Sequence, residues 1–233
     1  LVKWPRGEDT ERDRLILRAE YLFSRALGEL RLDVCRGHWH HLRGCAPSLW
    51  LERFDRRSSP GSVQRAPVES LYSLAGVARP GAVLAHEHFL ESLRDALTRR
   101  DQLEDLPELA RELVCRDLLD VVLGNTDNHG RNRAVLRGDR LVWAPIYDLA
   151  PMVMDPDGIA RSTHWRDHEH AGRIDYVSVC RGLDRWLGEP GTLEVVREFA
   201  HRLLDLPELL RELGLDEEVS SFPRIDLEQL PML

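Results

Sequence analysis

Three oxygen-bearing side chains are spaced for chemistry between Gly124 and Pro151, in GNTDNHGRNRAVLRGDRLVWAPIYDLAP. A Leu- and Val-rich helical run stops at Gly124, and a polar loop follows it, from Asn125 through Thr126, Asp127, Asn128, His129, Gly130 and Arg131 to Asn132. Two short apolar runs come next, Ala134-Val135-Leu136 and Leu141-Val142-Trp143. The Arg137-Gly138-Asp139-Arg140 between them predicts a hairpin turn. A hairpin returns the chain to where it left, so Asp148 is expected beside Asp127 and Asn132. Two carboxylates and an amide oxygen converging at one end of a small sheet are hard ligands that suit Mg²⁺, which takes one or two carboxylates together with phosphate oxygens. An Asp, four residues, an Asn, a hairpin and a further Asp is also the order phosphoryl transfer uses: the first carboxylate orients a hydroxyl, and the other two groups hold metal. The competing explanation is a plain helix-to-hairpin connection in which Asp and Asn only make turns.

The elements that must position these groups are legible as patterns. Residues 1–4 (Leu-Val-Lys-Trp) predict a strand closed by Pro5 and Gly7, and Leu15, Ile16, Ala19, Leu22, Phe23, Ala26 and Leu27 predict a helix over 10–27 that ends at Gly28. Residues 31–47 are irregular in pattern, 49–54 form a strand-like run, and Asp55 to Pro67 a polar loop. From residue 82 onward helices dominate: 82–99, 106–123, and several from 177 to the end. Asp105-Leu-Pro-Glu and Asp205-Leu-Pro-Glu each have the form of a capping box with proline in the first turn.

Composition narrows the function classes. The 233 residues carry a net charge of −8 with 42% hydrophobic residues, enough for a core, and the acidic balance argues against binding nucleic acid through bulk electrostatics. No apolar run approaches the roughly 20 residues of a bilayer span, and Lys3, Arg6, Glu8 and Asp9 break any signal-like stretch. Cys35, Cys45, Cys115 and Cys180 show no paired spacing. These features read as a cytoplasmic globular protein. Lys3 is the single lysine, every other one of the 32 basic residues being arginine, which suggests a position that needs a compact ammonium.

GNTDNHGRN followed by PIYDLAP resembles the signature of the HipA family of bacterial serine/threonine kinases, toxins or toxin-like proteins of toxin–antitoxin systems. Val2-Lys3-Trp4-Pro5 and Leu51-Glu52-Arg53-Phe54-Asp55-Arg56 resemble that family as well. The resemblance implies an α+β, protein-kinase-like two-lobe fold, with 1–54 a remnant of the small lobe and hinge and 55–233 a helical large lobe. That lobe would hold the catalytic loop (124–132) and the metal-binding segment (147–151). It implies ATP and Mg²⁺ as cofactors and transfer to a protein hydroxyl, with a translation component such as an aminoacyl-tRNA synthetase as the expected substrate. Lys3 would contact the ATP phosphates, paired with Glu20 or with Glu11, which also lies on that helix. Glu52, Arg53 and Phe54 would form the hinge at the adenine, and Asp127 would be the catalytic base. His129, Gly130, Arg131 and Asn132 would line the phosphate and metal site. Asn132 and Asp148 would bind Mg²⁺, with Asp148 positioned by Tyr147. A HipB-like helix-turn-helix antitoxin would be the partner and supply the DNA contacts, with no role for a membrane.

The sequence opens at Leu1 inside the predicted strand, without the glycine-rich loop that kinases place ahead of the lysine. The expectation is a fragment with weak ATP binding. Two alternatives stay open: a non-catalytic relative that only binds a partner, and a small-molecule or lipid kinase. Elsewhere, His164 and His168 have the spacing of helical zinc ligands without a completing set. Asp155, Asp157 and Gly158 suggest a turn. Arg161 to Arg166 suggest a solvated loop, or in this family a substrate-facing one.

Overall fold

Period-two alternation decides which way the first strand aims its lysine. In the computed structural model, which describes residues 1–41, 45–79 and 81–225, strand β1 (Val2–Lys3) precedes helix α1 (Glu11–Glu29) and strands β2 (Gly37–His40) and β3 (Ser48–Leu51). They form an antiparallel sheet in the order β1-β3-β2, with Lys3 opposite Leu49, and Leu49 opposite Trp39. Cross-strand partners share a face, and Leu49 is fully buried while Trp50 is half exposed. Lys3, Leu49 and Trp39 therefore face α1, where Trp39 stacks on Tyr21 at 6.0 Å between ring centroids. Helix α1 starts on a capping box in which Thr10 and Asp13 exchange side chain-to-backbone hydrogen bonds. It presents Ile16, Glu20, Phe23 and Leu27 along one buried stripe, so Glu20 looks into the same space as Lys3.

The predicted polar loop after residue 55 is instead a hairpin, β4 (Arg56–Ser59) with β5 (Ser62–Arg65), turned at Pro60-Gly61. All four residues of β5 are exposed, so no hydrophobic alternation marked it. Strand β2 likewise lies in the stretch that looked irregular. Its small and polar residues pair because β3 offers an open edge.

The large lobe comprises β6 (Val68–Ser70), α2 (Leu71–Leu74), β7 (Leu84–Ala85), α3 (His86–Thr98), α4 (Leu106–Val122), β8 (Ala134–Arg137) and β9 (Leu141–Trp143). After these come β10 (Thr163–His164), β11 (Glu169–His170), β12 (Arg173–Ile174), α5 (Tyr176–Leu187), α6 (Thr192–Arg202), α7 (Leu206–Glu212) and α8 (Glu217–Ser220). Helix α4 is its axis. Leu109, Leu113, Leu118 and Val122 are buried on it, and so are Arg116, Asp117 and Asp120. The β8–β9 hairpin forms as the turn residues predicted and joins β6 in a sheet ordered β6-β8-β9. It is fastened to α4 by Trp143 Nε1 donating to the Leu109 carbonyl (3.1 Å) and Arg116 donating to the Ala144 carbonyl (2.9 Å).

The two expected capping boxes at Asp105 and Asp205 do not form. Both residues hold helical rather than extended backbone (ψ −11° and −5°) and make no side-chain cap bond. The Asp105 carboxylate pairs with Arg140 instead. Proline does occupy the first turn of each helix. The helical reading beyond residue 225 falls outside the described residues. Phe23 is wholly buried between α1 and its neighbours, so Phe23→Ala is expected to cost about 3–5 kcal/mol. A urea titration should show a lower midpoint with an unchanged slope.

Candidate functional site

Lys3, Glu20, Asp127 and Asp148 line one cavity of about 330 Å³ between the sheet-bearing first part and the helical second part, together with Asp13 and Arg6. The Lys3 ammonium donates to Glu20 Oε1 at 2.6 Å and also to Asp148 Oδ1. Of the two candidate glutamates, then, Glu20 and not Glu11 meets the lysine. Burial disfavours the Lys3 ammonium, but Glu20 and Asp148 outweigh it and raise its pKa above the ordinary value. Burial raises the Glu20 carboxyl, because a lysine shared with Asp148 compensates it only in part. Four carboxylates against two cations leave the cleft acidic, so a polyanion there would need an accompanying cation.

Asp148 sits in the left-handed region at φ 58°, a conformation that costs a non-glycine residue roughly 1–3 kcal/mol and concentrates at functional sites. Two neighbours hold it there. Tyr147 donates its hydroxyl to the Arg131 carbonyl (2.6 Å) and packs its ring 5.4 Å from that of Phe54. Ile146 bridges to Val34, with Cys35 N–H donating to the Ile146 carbonyl at 2.7 Å. Burial and the nearby Asp148 charge raise the Tyr147 phenol above its ordinary pKa, which keeps it a donor.

The loop that carries Asp127 is braced from inside. Asn132 donates its side-chain amide to the Asp127 carbonyl (2.8 Å), and Asn132 N–H donates to the His129 carbonyl (2.9 Å). Asn132 lines a small neighbouring space with Tyr147 rather than the main cleft. His129 Nε2 lies 3.5 Å from Asp127 Oδ1. Gly130 is a true close approach, since a Cβ there would fall 2.3 Å from the Tyr72 ring. At the edge of the first sheet, Glu52 N–H donates to the Arg36 carbonyl (2.9 Å) and its carbonyl accepts from Cys35 Sγ (3.2 Å). Arg53 pairs with Asp55 at 2.6 Å. The two expected cation ligands are divided, Asp148 lining the main cleft and Asn132 the smaller space beside it. No group of three or more His, Cys, Asp or Glu able to hold a metal exists among the described residues. The carboxylate oxygens of Asp127 and Asp148 in the cleft are hard donors of the kind that fits Mg²⁺ completed by phosphate oxygens. His164 lies on β10 and His168 in the turn before β11, so their spacing is not helical. Asp155 makes a turn, accepting from Asp157 N–H at 2.9 Å.

Several residues that position this loop were not singled out by pattern. Asn128, almost wholly buried, donates to the Thr163 carbonyl (2.9 Å) and accepts from the backbone of Ser162 and Thr163. Asp120 accepts from Asn125 (2.7 Å) and pairs with Arg133. Asp117, with no exposure, accepts from His86 Nε2 (3.0 Å), Arg161 Nη2 (2.9 Å), Trp165 Nε1 (2.9 Å) and Tyr176 Oη (3.1 Å). Arg161 through Trp165 is therefore not a solvated loop: buried Asp117 draws Arg161 and Trp165 inward. A run of charged residues in a helix rich in leucine was the available signal.

Burial holds His86 neutral, with a pKa lowered to about 4 although Asp117 opposes this. The unfolded chain takes up a proton near the ordinary histidine value of about 6.5, and the folded chain does not. His86 thus contributes stability that is complete above that value and is lost as the pH falls toward 4. His86→Gln, which keeps a donor to Asp117, is expected to flatten the stability–pH slope across this window by up to about 1.4 kcal/mol per pH unit. Urea melts at several pH values would measure it.

The family model described as HipA-like C-terminal domain matches residues 1–205. Among solved structures, the chain is similar to HipA of the Shewanella oneidensis toxin–antitoxin system, solved with HipB and operator DNA. The TM-score is 0.65 with 19% identity, covering 98% of this chain and 56% of that one. It is also similar to CtkA, a proinflammatory kinase of Helicobacter pylori, with a TM-score of 0.59 and 14% identity over 99% of this chain and 83% of that one. This chain thus spans little more than half of the Shewanella protein. No curated protein matches the sequence. The protein-kinase-like, mixed α/β architecture is shared with both neighbours, and the chain belongs to the family of HipA-like C-terminal domains.

Proposed function

We propose that this chain is the kinase portion of a HipA-like protein and transfers a phosphoryl group from ATP, with Mg²⁺, to a serine or threonine hydroxyl on a protein. The convergence of Lys3, Glu20, Asp127 and Asp148 on one cleft carries this reading. It rests as well on the likeness to two kinase-related folds.

Each residue then has a physical task. Lys3, held by Glu20, offers its ammonium to the phosphates. Asp148 would hold the cation together with Asn132, whose amide sits against the Asp127 backbone; when bound, the cation would neutralise charge developing on the phosphates. Asp127 orients the acceptor hydroxyl and takes its proton. His129, Gly130 and Arg131 keep the loop at the phosphates, and Tyr147 holds Asp148 in its left-handed conformation. Phe54 and Arg53 face the adenine end, with Glu52 closing the sheet behind them. Catalysis on this account is positioning and electrostatics rather than covalent chemistry. The partner in this reading is a HipB-like helix-turn-helix antitoxin, in keeping with the assembly named for the Shewanella neighbour. The net charge of −8 fits a protein that leaves DNA contacts to its partner. No helix among the described residues is long and apolar enough to cross a membrane.

Calorimetry with ATP and Mg²⁺ and a radiolabel transfer assay test the proposal together. Asp148→Asn is expected to weaken Mg²⁺-dependent ATP binding at least about tenfold, removing a charge-assisted contact. Asp127→Asn should leave binding near wild type and lower transfer by about 10²–10⁴-fold, the usual reach of a positioned general base. Binding of ATP that ignores both Mg²⁺ and Asp148→Asn would sink the assignment.

A further inference from the structure

Of the four carboxylates in the main cleft, Asp13 is held by Thr10, and Glu20 and Asp148 are held by Lys3. Asp127 is left to His129, whose Nε2 lies 3.5 Å from its Oδ1. A carboxylate turns easily about the bond to its Cβ, because that torsion is broad. A base that must meet a hydroxyl along one direction needs a neighbour to stop the rotation.

The imidazole is itself held. Arg131 N–H donates to His129 Nδ1 at 3.3 Å. A nitrogen that accepts a hydrogen bond carries no hydrogen, so the ring hydrogen sits on Nε2, on the Asp127 side. The place of the ring is set from α2. Tyr72, 2% exposed, lies 6.2 Å from it between centroids and donates its own hydroxyl to the Ala82 carbonyl (2.6 Å). Tyr72 N–H donates to the carbonyl of Gly130 (3.1 Å), whose missing side chain makes room for the tyrosine ring. His129 thus has a fixed position, a fixed tautomer and one hydrogen to donate. Asp127 lines the main cleft and His129 does not, so the ring acts on the carboxylate rather than on a ligand.

We propose that His129 is the positioning residue for Asp127, its Nε2–H engaging Oδ1 and leaving Oδ2 aimed at the acceptor hydroxyl. This role rests on the kinase reading above, in which Asp127 takes the hydroxyl proton. As the acceptor oxygen bonds to the γ-phosphorus of ATP and the bond to ADP breaks, that proton passes to Oδ2. A separation of 3.5 Å exceeds that of a formed hydrogen bond, and catalytic contacts are often long in a free enzyme and tighten once substrate is bound. A neutral donor also suits the task better than a cation. A lysine or arginine there would favour the ionised carboxylate and weaken it as a base, whereas a neutral N–H orients it with less effect.

Radiolabel transfer from ATP to a mixed serine/threonine peptide library, run beside ATP–Mg²⁺ calorimetry on the full chain, tests the role. His129→Ala is expected to lower turnover by about ten- to a hundredfold and to leave ATP affinity and melting temperature at wild type. His129→Gln, whose amide places an N–H near the position of Nε2, should recover much of that loss. Added to Asp127→Asn, His129→Ala should cost nothing further, because residues that act as a unit are not additive. ATP affinity that falls in step with turnover overturns the role and puts His129 on the phosphates. Losses that multiply in the double variant overturn it as well. An Asp127→Asn chain that transfers as wild type brings down the kinase reading, and this role with it. The tautomer is read without activity, from long-range proton–nitrogen NMR correlations of the imidazoles, with His129→Ala giving the assignment. Hydrogen on Nε2 is expected, and hydrogen on Nδ1 overturns the role even where the kinase reading stands.

Discussion

A carboxylate with no solvent exposure has to be paired, and Asp117 is the point on which the large lobe turns. Desolvating an ion costs several kcal/mol even after relaxation, and the protein meets that cost by bringing donors from three separate places. His86 comes from the start of α3, Arg161 and Trp165 from the segment after the YDLAP stretch, and Tyr176 from the start of α5. Although burial works against it, Arg161 and His86 hold the Asp117 pKa well below the usual carboxylate range. Three segments of the lobe are in this way tied to one residue of α4. Asp120, one turn further on, adds Arg133 and Asn125 at the two ends of the loop.

A second set of charges joins the two parts of the molecule. Lys3 comes from an edge strand, Glu20 from the helix beneath it, and Asp148 from beyond the β8–β9 hairpin. The contact is open to solvent chiefly at Asp148, while Glu20 is buried. A lysine shared by two carboxylates is a contact that a cation and phosphates can reorganise, whereas the Asp117 cluster is closed. The fold thus pairs a fixed electrostatic centre under the loop with an exchangeable one above it, to which the left-handed Asp148 belongs.

Much of the site was legible in the residues. The spacing of Asp127, Asn132 and Asp148 about a hairpin turn placed the two aspartates in one cleft, because hairpin closure is local and its turn residues announce it. The lone lysine marked itself by composition. The β4–β5 hairpin was not legible, since its strands are exposed and polar. The capping boxes at Asp105 and Asp205 were misjudged because a cap needs extended backbone as well as the right side chain. Arg161 and Trp165 looked like a surface loop because nothing local in 159–170 indicates a buried carboxylate 44 positions earlier.

What the sequence determined by itself was therefore what short-range physics controls: helices from apolar periodicity, the hairpin from its turn, and the chemical character of the Asp127 loop from its residue types. The tertiary structure alone decided which acid meets Lys3 and which way Asn132 turns its amide. It also decided that Asp117 is an internal hub and that Tyr72 of α2 settles the His129 ring beside Asp127. Those outcomes depend on partners distant in the chain and on where water is excluded. Neither is written in any local pattern, because burial sets the cost of a charge and only the complete packing sets burial.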